Sequence, residues 1–434
     1  MQKLKSKIPP IIFFLIFLNL IFTRSFVGIR ILNYRLGEYI VLIGFLSLFL
    51  FTIYFIKYQP SKEIRLISII LFYFVLQLLM TQANILNTYT FKAASFIGMI
   101  SFFYFGLNFQ HNNKYVEKLR AFLPVLLPII YFFGSSIYPK FIGSFFINYS
   151  DKFEYIKASD ILMVLVVVIF YYNNFENKKW NNLFIFIVLP AFMPILLYLS
   201  RGSFLALVVF FLMEMFSLRK ELISNLLRTS LFTLLAIIVF IVSTFNIYGN
   251  LSFEKSNPLI NEELKKSQTA VLQDNIEDLL VRRNYIGVLF SLYVDEGTLK
   301  STDGTLNWRL DIWQDLLNDM NDENKNLFGY GYNEILPAMT DASEPGRMGA
   351  DGMNENIHNY FLNVYARGGI PLLVMFLFLH YLFIKKWKTV NGDYRIVNFI
   401  IPLLIASFFD VSMEGVQFPL HYYFFIGTFL ALKN

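Results

Sequence analysis

Arg309, Arg201 and His358 stand out as side chains able to hold an anion or move a proton in an otherwise apolar chain. Read as a helix at 100° per residue, 308–320 places Leu310, Ile312, Trp313, Leu316, Leu317 and Met320 on one arc and Asp311, Asp315, Asn318 and Asp319 on the other. Arg309 projects into the apolar arc, between Leu316 and Met320. A guanidinium there needs an anionic partner or a path to water. Its planar fork suits a phosphate or carboxylate ligand, and the plainer alternative is that it snorkels or pairs with a protein carboxylate.

Arg201 sits in Ser200-Arg201-Gly202-Ser203, between two hydrophobic runs. An arginine at the end of a span often only snorkels. Here the small neighbours leave room beside it for a phosphate at headgroup depth. His358 lies in Asn356-Ile357-His358-Asn359-Tyr360-Phe361, and helical spacing groups it with Phe361, Leu362 and Tyr365. Histidine is the side chain best suited to exchange a proton near neutral pH; a satisfied buried histidine is the alternative. A break at Gly368-Gly369 and Pro371 would end a short helix and start the next span at a new angle. Phe328-Gly329-Tyr330-Gly331 reads as a turn where backbone approaches something closely. It is not a phosphate loop, because no Gly-Lys-Ser/Thr follows. Asp341, Glu344, Asp351 and Glu355 are candidate bases or metal ligands, or a solvated loop. Arg282, Arg283 and Arg347 are candidate contacts for anionic sugars, or solvated surface.

The elements that position these residues are membrane spans. Of 434 residues, 56% are hydrophobic and 16% charged, and Phe alone counts 50; soluble domains carry roughly 25% charged residues. With no cysteine, disulfides, thiolate metal sites and a catalytic thiol are excluded. The four histidines do not suggest a multi-histidine metal site. The predicted fold is an all-α integral membrane protein. Apolar runs near the ~20 residues needed to cross lipid fall at 9–27, 38–56, 64–81, 91–109, 119–138, 160–174, 182–200, 202–218, 229–248, 366–385, 395–411 and 418–432. The first run has no small-x-small cleavage site after it and reads as a retained helix. Domains are expected at 1–248 (nine spans), 249–365 (a large, partly helical extracytoplasmic insert with helical patterning at 276–289) and 366–434 (three spans).

Lys and Arg set the orientation. With the N-terminus inside, inner segments hold the clusters at Lys3–Lys7, Lys57–Arg65, Lys114–Arg120, Lys178–Lys179, Arg219–Arg228 and Lys385–Arg395. The short outer segments are poorer, apart from Arg24, Arg30 and Arg35. Both termini are then cytoplasmic, and the Arg201 hairpin shares a side with the insert. The net charge of +6 belongs to this bias, not to nucleic acid.

Ser200-Arg201-Gly202, Arg309 with Trp313, Phe328-Gly329-Tyr330-Gly331, His358-Asn359 with Leu362, and Gly368-Gly369, in that order, resemble the O-antigen ligase and polymerase superfamily of bacterial GT-C type membrane glycosyltransferases. The resemblance implies catalytic roles for His358, Arg309 and Arg201, and substrate-binding roles for Asn359, Gly329, Tyr330, Gly331 and Trp313. It implies an undecaprenyl-diphosphate-linked oligosaccharide as donor, a location in the bacterial cytoplasmic membrane, and neither cofactor nor metal. A chain-length regulator is a candidate partner. Of the two activities, polymerase is favoured because the long insert, both acidic and basic, suits sugar on donor and acceptor. Ligase, transferring to lipid A core or another acceptor, is the alternative. A transporter or flippase is the alternative of another class; it would place ionisable residues at mid-span, whereas here only Glu214, with Asp410 near a span end, departs from charge-free interiors.

Overall fold

A computed structural model describes residues 10–108, 140–152, 157–175, 181–248, 292–295, 297–302, 304–340, 347 and 357–431. The expected span 119–138, the patterning at 276–289, Arg282, Arg283, Asp341, Glu344, Asp351 and Glu355 lie outside the described residues. In chain order the elements are α1 (Pro10–Val27), β1 (Arg30–Ile31), β2 (Tyr34–Arg35), α2 (Leu36–Tyr58), α3 (Lys62–Met80), α4 (Thr88–Ala93), α5 (Ser95–Met99), α6 (Phe102–Leu107), α7 (Lys140–Tyr149), α8 (Ala158–Phe175), α9 (Asn181–Leu199), α10 (Arg201–Ser224), α11 (Leu226–Tyr248), β3 (Leu292–Asp295), β4 (Thr298–Ser301), α12 (Gly304–Asp322), α13 (Tyr360–Asn391), α14 (Ile396–Phe409) and α15 (Gln417–Ala431). Among the described residues, α2, α3, α10, α11 and α13 are long and apolar enough to cross a membrane, and shorter apolar helices accompany them. The chain is a multi-pass, predominantly helical membrane protein. Two small antiparallel hairpins, β1–β2 and β3–β4, depart from the all-α expectation. The expected span 91–109 is likewise not one helix: the backbone tightens to i−3 hydrogen bonds at Ile100, Ser101, Phe103 and Tyr104, a 3-10 geometry that divides α5 from α6.

The described residues form two compact units. The first holds those up to Phe72, Ala93–Ser243 and those from Phe376 on. Lipid tails are as apolar as leucine, so helices there associate through close packing of small residues. A Cβ on Gly106 would lie 2.1 Å from the Phe424 carbonyl oxygen, and one on Gly427 would lie 2.2 Å from that of Phe103. Phe170 anchors an aromatic cluster, with ring centroids 5.5 Å from Trp387, 5.8 Å from Phe399 and 4.8 Å from Phe429. Glu214 is buried but satisfied, accepting from Asn173 at 2.5 Å and Asn398 at 2.9 Å. His380 and His421 are buried against the carbonyls of Phe376 and Ile16, which makes them packing residues.

The second unit comprises Tyr73–Lys92 and Thr244–Met375. Its core is the apolar face of α12 packed on Leu336, Ala338, Met339, Ile357 and Ala366. Leu310, Ile312, Trp313, Leu316 and Met320 are buried there as the periodicity requires; Leu317, at the edge of the arc, is 45% exposed.

Candidate functional site

In the second unit the break at Gly369 (φ 66, ψ −172), reinforced by Pro371, divides α13 into two helical segments. Two carbonyls lose their helical partners. Ile370 N–H donates to Asn326 O (2.9 Å) rather than to Ala366, and Pro371 has no N–H for Arg367. Both are satisfied from outside the helix. Tyr330 N–H donates to Ala366 O at 2.7 Å and Gly331 N–H to Arg367 O at 3.0 Å. Gln77 Nε2 donates to Phe328 O (2.7 Å) and Arg367 O (3.1 Å), and the Tyr73 hydroxyl to Gly368 O (2.8 Å). The close approach read from Phe328-Gly329-Tyr330-Gly331 is thus to the kink. At Gly329 (φ 66) a Cβ would lie 2.6 Å from the Ala366 and Arg367 carbonyls, and at Gly369 one would lie 2.2 Å from Leu327 O.

Arg367, 3% exposed, closes the turn from the other side. Its Nη1 donates to Gly331 O (3.0 Å) and Glu334 O (2.8 Å), and its Nη2 to the Tyr89 hydroxyl (2.7 Å). Arg347, read above as a sugar contact or solvated surface, is neither. It is buried and donates to Ala338 O at 2.7 Å and Asp315 Oδ2 at 2.6 Å. A guanidinium so engaged ties its segment to α12.

His358 lies just before α13, not on it, so the helical face with Phe361, Leu362 and Tyr365 does not include it. Asn359 caps the helix: its Oδ1 accepts from Phe361 N (3.0 Å) and Leu362 N (3.2 Å). His358 takes the left-handed conformation, φ 57, which costs a non-glycine residue of order 1–3 kcal/mol and concentrates at functional sites. Its ring packs edge-on against Trp308, centroids 5.3 Å apart at 67°. One residue earlier, Trp313 Nε1 donates to Ile357 O at 2.8 Å. Trp313, 8% exposed, is a core residue that fixes the approach to His358. Arg309 follows Trp308 on the same helix, half-buried, with its Nε shielded from solvent.

Along the solvent side of α12, burial first and then the Asp315 charge hold the Asp311 carboxyl above its ordinary range. Burial, Glu323, Asp315 and Asp322 do the same for Asp319. Burial, with Glu323 and Asp319, raises the Tyr330 phenol, so at neutral pH it is a hydroxyl donor rather than a base. Lys325 lies 5.6 Å over the Tyr330 ring.

Arg201 belongs to the first unit. It is the first residue of α10, whose N-cap Ser200 accepts from Ser203 N. The space beside it at Gly202 is filled: a Cβ there would lie 2.5 Å from Phe409 Cβ. That glycine is small for packing on α14, which corrects the expectation of room for a phosphate at that point.

Residues 185–377 match the family model described as O-antigen ligase. Over this stretch the chain is similar to that family, consistent with the O-antigen ligase and polymerase superfamily. The comparison with curated proteins gives no match. The matched stretch contains Arg201, Arg309, His358, the glycine turn and the kink, and members of the matching family are glycosyltransferase-like enzymes. The sequence reading missed Trp308, the ring against which His358 is set, and Tyr73, Gln77 and Tyr89, which brace the kink from outside the matched stretch. Trp308 carried a signal, an aromatic beside Arg309 set among the acidic residues of the polar arc. The other three did not, since nothing local marks a distant residue as the donor to a broken helix.

Proposed function

We propose that this chain polymerises surface polysaccharide repeat units of the O-antigen or capsule type. It transfers the growing glycan from undecaprenyl diphosphate to the next lipid-linked unit on the outer face of the bacterial cytoplasmic membrane. The proposal includes twelve spans, cytoplasmic termini, and an extracytoplasmic insert at 249–365. The observation that carries it is His358, held in the left-handed conformation against Trp308 beside the Trp313-braced Ile357, in one unit with Arg309. Such strain on a titratable residue suits a group that must meet a substrate.

In the reaction the acceptor hydroxyl oxygen attacks the anomeric carbon, and the bond from that carbon to the diphosphate breaks. Its electron pair leaves with undecaprenyl diphosphate, and His358 takes the hydroxyl proton. Arg309 stabilises charge developing on the diphosphate, and Arg201 has the same role by the family pattern. Trp313 and Asn359 position His358 from either side. Gly329, Tyr330 and Gly331 shape the wall of the substrate site.

A second reading, transfer to a lipid A core or another acceptor, is favoured by the ligase description of the matching family. Surface polysaccharide in a deletion strain complemented with wild type or Arg309→Ala separates the two. Long glycan with wild type and single repeat units with the variant support a polymerase. Long glycan retained on its lipid carrier in the variant supports a ligase.

A further inference from the structure

The β1–β2 hairpin is built around a turn that its own sequence disfavours. Ile31 pairs with Tyr34 across the two-residue turn Leu32-Asn33, whose residues are both left-handed, at φ 49 and φ 70. Such turns favour asparagine and glycine; Asn33 fits, and Leu32 does not. Leu32 is nonetheless 84% exposed, between exposed Ile31 and Tyr34. Packing among the described residues therefore does not account for a leucine there.

The anchoring of the hairpin fixes this exposure. Asp151 Oδ2 accepts from Arg30 Nη2 at 3.1 Å and from Arg35 Nε at 2.5 Å. Ile29 bridges to Ser150, whose Oγ donates to Ser25 O at 2.8 Å. These ties join the hairpin to the end of α7. That helix packs Phe146 on Phe22, ring centroids 5.2 Å apart, and leaves Phe145, Ile147 and Tyr149 exposed. At 10 residues it is too short to cross lipid, and its exposed apolar side chains suit a helix lying in the membrane interface. α2 shows which way the surface continues. It buries Val41, Leu48 and Phe55 and exposes Leu42, Leu46, Phe49 and Ile53 at helical spacing, the lipid-facing stripe of a helix long enough to span. Tyr39 stands two turns before Leu46 on the same stripe. Its hydroxyl donates to Ile31 O at 3.0 Å, and its ring meets that of Tyr34 edge-on at 6.1 Å. The lipid-facing surface thus runs from α2 through Tyr39 and Tyr34 onto the hairpin.

We infer that the β1–β2 hairpin and α7 form a phospholipid-binding platform at this end of α2. Ile31, Leu32 and Ile147 enter the boundary between headgroups and acyl chains, with Tyr34, Tyr39 and Tyr149 at headgroup depth. Tyrosine suits that depth because its ring is apolar and its hydroxyl polar. Burial of Leu32 in lipid offsets the backbone strain that the protein alone leaves unrewarded. The platform lies outside the matched stretch at 185–377 and does not depend on the glycosyltransfer reading.

In this cysteine-free chain, Leu32→Cys or Ile147→Cys takes a single polarity-sensitive nitrobenzoxadiazole label. The labelled full chain is reconstituted in vesicles of phosphatidylcholine and phosphatidylglycerol, with Leu46→Cys as the lipid-facing reference. At either platform position the label is expected to emit blue-shifted from the free dye. Phospholipid spin-labelled near the headgroup should quench it severalfold more than aqueous iodide does, whereas Leu46→Cys should respond most to a spin label deeper in the acyl chain. Either platform position decides if the other variant fails to fold. Iodide quenching at the level of the free dye overturns the platform. Shielding from both quenchers that is lost when the protein is diluted into excess lipid also overturns it, and marks a second copy of the chain as the occupant.

Discussion

His358 separates chemistry from stability within one side chain. Its φ of 57 is a conformation glycine adopts without strain. His358→Gly is therefore expected to leave the melting temperature unchanged or raised, by up to about 1 kcal/mol of relieved strain, and to abolish glycan transfer. Thermal unfolding and transfer measured on the same preparation check this. Arg309 sits on α12, which also carries Trp308 and Trp313. Arg309→Ala is expected to lower turnover roughly 10²–10³-fold, as removal of a preorganised charge stabiliser does. Arg309→Lys, which keeps the charge and loses the fork, should fall in between; turnover at matched membrane abundance decides. Arg309 stands out in the sequence because one residue breaks an otherwise consistent apolar arc. Arg347 does not, because its burial depends on Ala338 and Asp315, which sequence spacing does not bring together.

At the scale of elements, the α13 kink and the glycine turn are one device. Gly369→Ala would add strain at φ 66 and a Cβ 2.2 Å from a carbonyl oxygen. It is expected to destabilise the protein by about 2 kcal/mol or more. Gly297→Ala, at φ 81 with nothing within 4 Å, should cost only about 1 kcal/mol of backbone strain. Comparing the two by thermal unfolding tests whether the turn is held by contact or by conformation alone. The break and the turn were both visible as Gly-Gly-x-Pro and Phe-Gly-x-Gly. That each satisfies the other was not, because the pairing spans distant segments. The clasp of Arg30 and Arg35 on Asp151 carries a pH dependence. Burial raises the Asp151 carboxyl, but its hydrogen bonds and charge contacts with Arg35 and Arg30 outweigh it and hold the group below its ordinary value. A depressed carboxylate contributes stability above the unfolded value near ~3.9, and loses it as pH falls through the folded value. Asp151→Asn is expected to lower the melting temperature at pH 7 and to converge with wild type as the pH falls below the folded value of the Asp151 carboxyl.

At the scale of the whole molecule, the apolar runs located most helices to within a few residues, since lipid admits few other structures. They misjudged 91–109, where i−3 bonds divide the helix, and did not reveal the two short hairpins, whose strands are too brief to leave a periodic signal. The natural absence of cysteine makes the proposed orientation directly testable. Val294→Cys and Val390→Cys, both exposed, should be labelled by a membrane-impermeant maleimide from opposite sides, with Val294→Cys reacting in intact cells. Labelling of both from one side would contradict the proposed topology.

The central claim is most directly tested with the purified chain in proteoliposomes, given radiolabelled lipid-linked repeat units and neither nucleotide sugar nor ion gradient. The account predicts glycan lengthening by wild type and its loss in Arg309→Ala and His358→Ala. Movement of the labelled lipid across the bilayer without lengthening, or lengthening that both variants retain, would contradict it.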